Sequence, residues 1–95
     1  MRRAAKVDAN QDPIVKALKG IFGDCVLDLS RVGGGCPDIM VSVRGVNLLL
    51  EIKTDSGRLT PAQIRFHRNW SRTGQVAVVR SLEDALAIIE KETCR

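Results

Sequence analysis

Three charged side chains, Asp38, Glu51 and Lys53, stand at the ends of two apolar runs. Asp38 opens the run 39–43, and Glu51 and Lys53 close the run 48–53. Alternate residues of a β-strand point to the same face, so Glu51 and Lys53 point the same way. Burying two carboxylates and an ammonium at the edge of an apolar hairpin is unfavourable unless they pair or bind a metal. This pattern predicts a chemically active cluster; an exposed ion pair at the strand ends is the alternative.

These groups fit metal-dependent hydrolysis of a phosphodiester bond. Paired carboxylates hold a hard divalent cation such as Mg²⁺ or Mn²⁺, which takes oxygen ligands and keeps several waters. Such a cation polarises a phosphoryl oxygen and lowers the pKa of a bound water. We expect Asp38 and Glu51 to be the metal ligands, with the backbone carbonyl of Ile52 as a third. We expect Lys53 to orient the attacking water or to neutralise charge that develops on the phosphate.

The residues around this cluster resemble a known nuclease family. Pro37-Asp38 followed by Glu51-x-Lys53 is similar to the signature of the PD-(D/E)XK nucleases. The flanking segments, residues 32–39 and 59–63, resemble those of a stand-alone VRR-NUC domain, a type common in phage and bacterial genomes. The resemblance extends from about residue 7 to residue 86.

The resemblance implies a fold and an activity. The fold would be an α/β restriction-endonuclease-like core, a mixed four-stranded sheet flanked by helices in the order α-β-β-β-α-β-α. The activity would be that of a Mg²⁺- or Mn²⁺-dependent endonuclease that cuts branched DNA, such as Holliday junctions or flaps, as a homodimer. The alternative is a catalytically weak DNA-binding module on a nuclease scaffold. A structural subunit, which would not bind DNA, is a third interpretation.

Two glutamines are part of this resemblance. Nucleases of this type have a carboxylate near the metal on the first helix, and the matching position here is Gln11. The helical periodicity also turns Gln11 towards the sheet, although it is equally well explained as a polar residue at a helix start. Gln63 matches a glutamine beside the active site. It also lies three positions after Thr60, as in a capping box, and the two roles are compatible.

Length, charge and composition set the wider limits. The chain has 95 residues, a length that predicts a single domain. Its first nine residues are basic, so we expect an N-terminal lead over residues 1–9 and the domain over residues 10–95. Its net charge of +4 suits a polyanionic partner. No apolar run approaches the roughly 18 residues of a membrane span, and no signal-peptide pattern follows the basic lead. We therefore expect no membrane association and a cytoplasmic location, in the host cell if the protein is phage-encoded.

The hydrophobic pattern predicts the elements that position the cluster. Apolar residues at helical spacing predict a first helix over residues 10–23, and alternation over residues 25–30 predicts a first strand. Residues 44–47 predict the hairpin turn. The continuous apolar run 75–80 predicts a strand buried on both faces. Ser81 is expected to cap the last helix, which should fray over residues 91–95.

The predicted DNA contacts lie in loops and on the second helix. Three successive glycines before Asp38 must form a loop, whose N–H groups can face a phosphate, although such a loop can also be a plain flexible connection. Arg2, Arg3 and Lys6 of the basic lead are either phosphate contacts or part of a frayed terminus. The arginines of the second helix form either a DNA-facing stripe or a solvated helix face. The predicted contacts are Ser30, Arg31, Gly33, Gly34, Gly35, Arg58 and Arg65. His67 shares a helix face with Gln63, and Asp28 and Arg44 are expected to face solvent.

Overall fold

Four aliphatic runs form one mixed β-sheet, which is flanked by three α-helices. The computed structural model describes residues 9–72 and 74–94, so the predicted phosphate contacts Arg2, Arg3 and Lys6 lie outside the described residues. The predicted order of elements is confirmed. The strands are β1 (Val26–Asp28), β2 (Ile39–Val43), β3 (Val46–Ile52) and β4 (Gln75–Val79), and the helices are α1 (Pro13–Phe22), α2 (Pro61–Trp70) and α3 (Leu82–Thr93).

The strands lie in the sheet in chain order, β1-β2-β3-β4. The first three form an antiparallel meander, and β4 returns through α2 to pair parallel with β3. On β3, Leu48 and Leu50 face the apolar core with α1 and α3, whereas Glu51 faces α2. The core cluster consists of Ala9, Val15, Leu18, Val26, Ile39, Val41, Leu48, Leu50, Val79, Ala85 and Ile89. Among the described residues, no helix is long and apolar enough to cross a membrane.

The β2–β3 hairpin closes through a tighter turn than the sequence pattern predicts. Arg44 and Gly45 alone form the turn, with φ values of 53° and 81°, and the next two residues already pair in β3. Positive φ at both central residues is typical of type I′ turns, whose twist matches that of the flanking strands. Arg44 is exposed, as the sequence predicts, but its side chain also makes contacts with α3. Its guanidinium donates to Thr93 Oγ1 at 3.1 Å and lies 3.7 Å from a Glu90 carboxylate oxygen.

This contact explains why α3 does not fray where expected. The helix begins after Ser81, whose Oγ accepts from Asp84 N, and continues through Thr93, which is fully buried. The hydroxyl of Thr93 donates to the Ile89 carbonyl at 2.6 Å while accepting from Arg44. The last helical turn is therefore attached to the β2–β3 hairpin.

Two strands differ from their predicted form. β1 ends at Asp28, because Asp28 Oδ1 accepts from the backbone N and the hydroxyl of Ser30, at 2.8 and 2.6 Å, and turns the chain away. Asp28 is half-buried rather than solvent-facing. The predicted burial of β4 on both faces is only partial, because Gln75 is exposed, residues 76–78 are half-buried and Val79 alone is buried; β4 is also an edge strand.

The Thr93 hydroxyl gives a direct test of this packing. We expect Thr93→Val, which keeps the shape and removes both hydrogen bonds, to lower the free energy of unfolding by about 1–2 kcal/mol. Urea denaturation measures this change. Glu90→Gln is the control, because the Arg44–Glu90 ion pair is largely exposed and should contribute less than about 0.5 kcal/mol. Equal effects of the two substitutions would contradict this account.

Candidate active site

The carboxylate of Asp38 is fixed by the backbone at the end of the central strands. Its backbone N donates to the Leu50 carbonyl at 3.1 Å, and its Oδ2 accepts from the Ile52 backbone N at 2.8 Å. The side chain thus takes the place of a strand carbonyl where the β2–β3 ladder ends. It contacts the peptide unit that joins Glu51 to Ile52, so Asp38 lies beside the Glu51-x-Lys53 segment, as the sequence predicts.

Glu51 and Lys53 form a buried pair on the α2 side of the sheet. The Glu51 side chain is 2% exposed and that of Lys53 is 17% exposed, with Lys53 Nζ 4.0 Å from Glu51 Oε2. The same Oε2 accepts from Gln63 Nε2 at 3.3 Å. These burial values do not fit the alternative of an exposed ion pair at the strand ends. A buried carboxylate needs charged and hydrogen-bonding partners of this kind.

Gln63 makes both of the contacts that the sequence suggests. Its Oε1 accepts from the Thr60 backbone N at 2.9 Å, and Thr60 Oγ1 accepts from the Gln63 backbone N at 3.2 Å, which completes a capping box. Because the amide oxygen is used by the cap, the amide NH₂ group points to Glu51. The capping box that starts α2 therefore also orients the Gln63 amide group towards the buried Glu51 carboxylate.

The glycine loop packs against this helix start. Gly33, Gly34 and Gly35 all have positive φ, at 80°, 66° and 83°. A Cβ on Gly35 would clash with the Ala62 carbonyl oxygen and lie 2.9 Å from the Gln63 backbone N, whereas a Cβ on Gly33 or Gly34 would have no neighbour within 4 Å. A glycine at position 35 is thus required for the loop to approach α2 closely. Only Gly33 and Gly34 leave a backbone that a ligand can approach.

The other predicted site residues differ in exposure: some lie on the surface and one is buried. Gln11 lies in a short 3-10 turn before α1, which begins at Pro13 with Asp12 as its N-cap, so the helical extrapolation towards the sheet is wrong and Gln11 is exposed. Ser30 is buried, accepts from Ala9 N and donates to Asp28, so its predicted position as a surface phosphate contact is also wrong. Three predicted contacts are exposed: Arg31, Arg58 and Arg65.

Arg80 is a positioning residue that the sequence analysis missed. Its Nη1 donates to the carbonyl oxygens of Thr54 and Gly57, at 2.6 and 2.8 Å, and so holds the loop that follows Lys53. A cleft of about 280 Å³ lies at this end of the sheet; it is lined by Asp12, Pro13, Ile14, Ile52, Lys53, Thr54 and Arg80. The only sequence signal for Arg80 is a basic residue directly after a strand that runs parallel to β3.

His67 lies next to the charged pair. It follows Gln63 by one helical turn, and its Nε2 is buried with no hydrogen-bond partner among the described residues. Burial, and then the nearby charge of Lys53, lower the pKa of His67 below its usual range. The imidazole is therefore neutral at pH 7 and adds no further positive charge beside Lys53.

The carboxylates of Asp38 and Glu51 are the candidate ligands for a hard divalent cation. Within residues 9–72 and 74–94, no group of three or more His, Cys, Asp or Glu side chains is placed to hold a metal ion. Asp38 and Glu51 contribute carboxylate oxygens, and Mg²⁺ is commonly bound through one or two carboxylates together with waters and substrate oxygens. These two carboxylates could therefore hold Mg²⁺ or Mn²⁺ only together with water or substrate oxygens.

Comparison with known proteins adds no family assignment. No protein-family model matches the chain, and no match was found among curated protein sequences. A function for this chain is therefore argued from its own residues and their geometry.

Gly35 and Gly34 form a matched pair for testing how the loop supports the site. Both substitutions by Ala place a side chain at positive φ, which we expect to destabilise the fold by about 1–2 kcal/mol. Gly35→Ala adds a clash with the backbone of α2, so we expect it to be a further 1–3 kcal/mol or so less stable than Gly34→Ala. Urea denaturation of the two variants measures the difference. Equal stabilities would show that the close packing of Gly35 on α2 is not required.

The lowered pKa of His67 makes stability depend on pH. The unfolded chain takes up this proton near pH 6.5, above the folded pKa, so acid favours unfolding. Stability contributed by His67 is present above the unfolded pKa and is lost as pH falls through the folded pKa. His67 is the only histidine in the chain, so the His67→Gln variant isolates its effect. We expect wild type to lose more unfolding free energy than this variant between pH 7.5 and 5.5; equal losses would contradict the assignment.

Proposed function

We propose that the protein is a divalent-metal-dependent DNA endonuclease with a restriction-endonuclease-like core of the VRR-NUC type. The observation that carries the proposal is the buried Glu51 carboxylate, paired with Lys53 and Gln63 beside the backbone-fixed Asp38. A desolvated charge cluster in a small domain lowers stability unless it is used, and such clusters concentrate at functional sites.

Each residue of the cluster has a role in this proposal. Asp38 and Glu51 would hold Mg²⁺ or Mn²⁺, together with the Ile52 carbonyl. A cation there supplies Lewis-acid polarisation of the phosphate and an acidified water. Lys53 stabilises the negative charge that develops on the phosphoryl oxygens. Gln63 fixes the orientation of the Glu51 carboxylate through its Nε2.

DNA binding in this proposal comes from exposed positive charge. Arg31, Arg58 and Arg65 are exposed, and the net charge is +4. Contacts from arginines to phosphates are independent of sequence and weaken as salt rises. The open backbone of Gly33 and Gly34 is a further phosphate contact. We assign no step to Gln11, which is exposed and uncharged.

Branched DNA is the proposed substrate, and a homodimer is the proposed assembly. Both rest on the resemblance of the Pro37-Asp38, Glu51-x-Lys53 pattern and its flanks to VRR-NUC nucleases. A two-fold dimer presents two sites of the same kind, which suits paired cuts on two strands. The alternative, a DNA-binding module with little catalysis, is favoured by one observation: an exposed Gln11 stands where the resembled nucleases have an acid.

A cleavage assay distinguishes these proposals. The purified protein is incubated with four-way-junction, flap, single-stranded and linear duplex DNA in Mg²⁺, Mn²⁺ or EDTA. We expect metal-dependent cutting of the branched substrates. We expect Lys53→Met, which removes the charge and keeps the bulk, to cut about 10²-fold more slowly with DNA affinity nearly unchanged.

Lys16→Met is the matched control, since Lys16 is exposed on α1, and it should cut like wild type. Equal cutting by Lys53→Met would indicate a contaminating nuclease and remove Lys53 from the site. Salt-sensitive DNA binding without cutting in any metal would support the binding module instead.

A further inference from the structure

An ordered aromatic pair occupies the C-terminal half of α2. The rings of Phe66 and Trp70 have centroids 4.9 Å apart and planes 4° from parallel, the geometry of an offset stack. Trp70 is nevertheless 50% exposed. Phe66 therefore supports the indole in a fixed orientation while half of the Trp70 surface remains open to a ligand.

The pair is aligned with the candidate active site along α2. Trp70 follows Gln63 by seven residues, which is about 10 Å along the helix and within about 20° around its axis. Gln63 contacts the buried Glu51 carboxylate. In a stacked strand the rise is about 3.4 Å per nucleotide, so this separation spans at most about three nucleotides.

The charge around Trp70 favours a polyanionic ligand. Residues 60–75 contain three arginines and no acidic residue. Arg68 and Arg72, two positions before and after Trp70, are both exposed. Residues two apart on a helix do not share a face, so these arginines make this end of α2 positively charged without being placed on the ring. An exposed aromatic ring within a positively charged surface is the arrangement by which proteins bind single-stranded nucleic acid, with the base stacked on the ring and the phosphates near the cations.

We propose that the Phe66–Trp70 stack is a binding platform for an unpaired base of single-stranded DNA. Its role in cleavage rests on the proposed nuclease function; the binding itself does not. An unpaired base on Trp70 directs the strand, within about three nucleotides, towards the end of α2 that carries Gln63. A flap or other single-stranded branch offers such a base, and a fully paired linear duplex does not, so the platform gives a physical origin for selectivity towards DNA with a single-stranded branch.

Tryptophan fluorescence tests the platform without cleavage. Trp70 is the only tryptophan and the chain has no tyrosine, so the emission comes from this one residue. The protein is titrated in EDTA with a short oligothymidylate and with a blunt duplex of the same length. We expect saturable quenching by the oligothymidylate and little quenching by the duplex.

Anisotropy of labelled oligothymidylate then measures affinity. We expect Trp70→Ala to bind roughly 5- to 150-fold more weakly and Trp70→Phe to retain most of the affinity. Ile21→Ala is the matched control, because Ile21 is an apolar residue of similar exposure on α1, and it should bind like wild type.

The outcomes separate this proposal from the nuclease proposal. Quenching together with the Trp70→Ala loss supports the platform even if no DNA is cut in any metal. Unchanged emission with unchanged affinity of Trp70→Ala overturns the platform, whether or not the protein cuts DNA. Loss of self-association in Trp70→Ala, with unchanged DNA affinity, also overturns it and identifies the ring as a protein contact.

Discussion

The hydrogen bond from Gln63 to the buried Glu51 carboxylate is the contact on which the rest of the site depends. It joins the central strand β3 to the first turn of α2, and the same glutamine caps that helix. Gly35 approaches the same turn so closely that no side chain fits there. The helix start, the glycine loop and the strand end are therefore mutually fixed. A carboxylate in such a frame is held rigidly, which is what orientation of a reacting group requires.

The two faces of the sheet have different physical roles. One face packs an aliphatic core against α1 and α3, in which Leu48 and Leu50 of β3 are fully buried. The other face is covered by α2 and carries Glu51 and Lys53, with His67 on the helix above. Burial strengthens electrostatic interactions on that face, and the neutral imidazole of His67 avoids a second positive charge beside Lys53. The apolar face supplies the stability that lets the other face hold buried charge.

The sequence predicts features that local rules determine. The capping box around Gln63 and the order of elements follow from short-range patterns, and the structure confirms both. The predicted orientation of Gln11 is wrong because a 3-10 turn precedes α1 and breaks the helical phase that the extrapolation requires. The contacts of Arg80 with Thr54 and Gly57 span 26 and 23 residues, and no local pattern specifies such pairs. An apolar run likewise does not distinguish an edge strand such as β4 from a central one.

Arg80 links the end of β4 to the loop after β3 and to the start of α3. Its guanidinium binds two carbonyls of the loop after β3, and its backbone N donates to Asp84 in the first turn of α3. The loop therefore cannot separate from the end of β4 without loss of these bonds. Local opening free energies follow such shared contacts. The loop, the end of β4 and the start of α3 thus form one cooperative unit, whose amide protons should exchange together and more slowly than those of an independent surface loop.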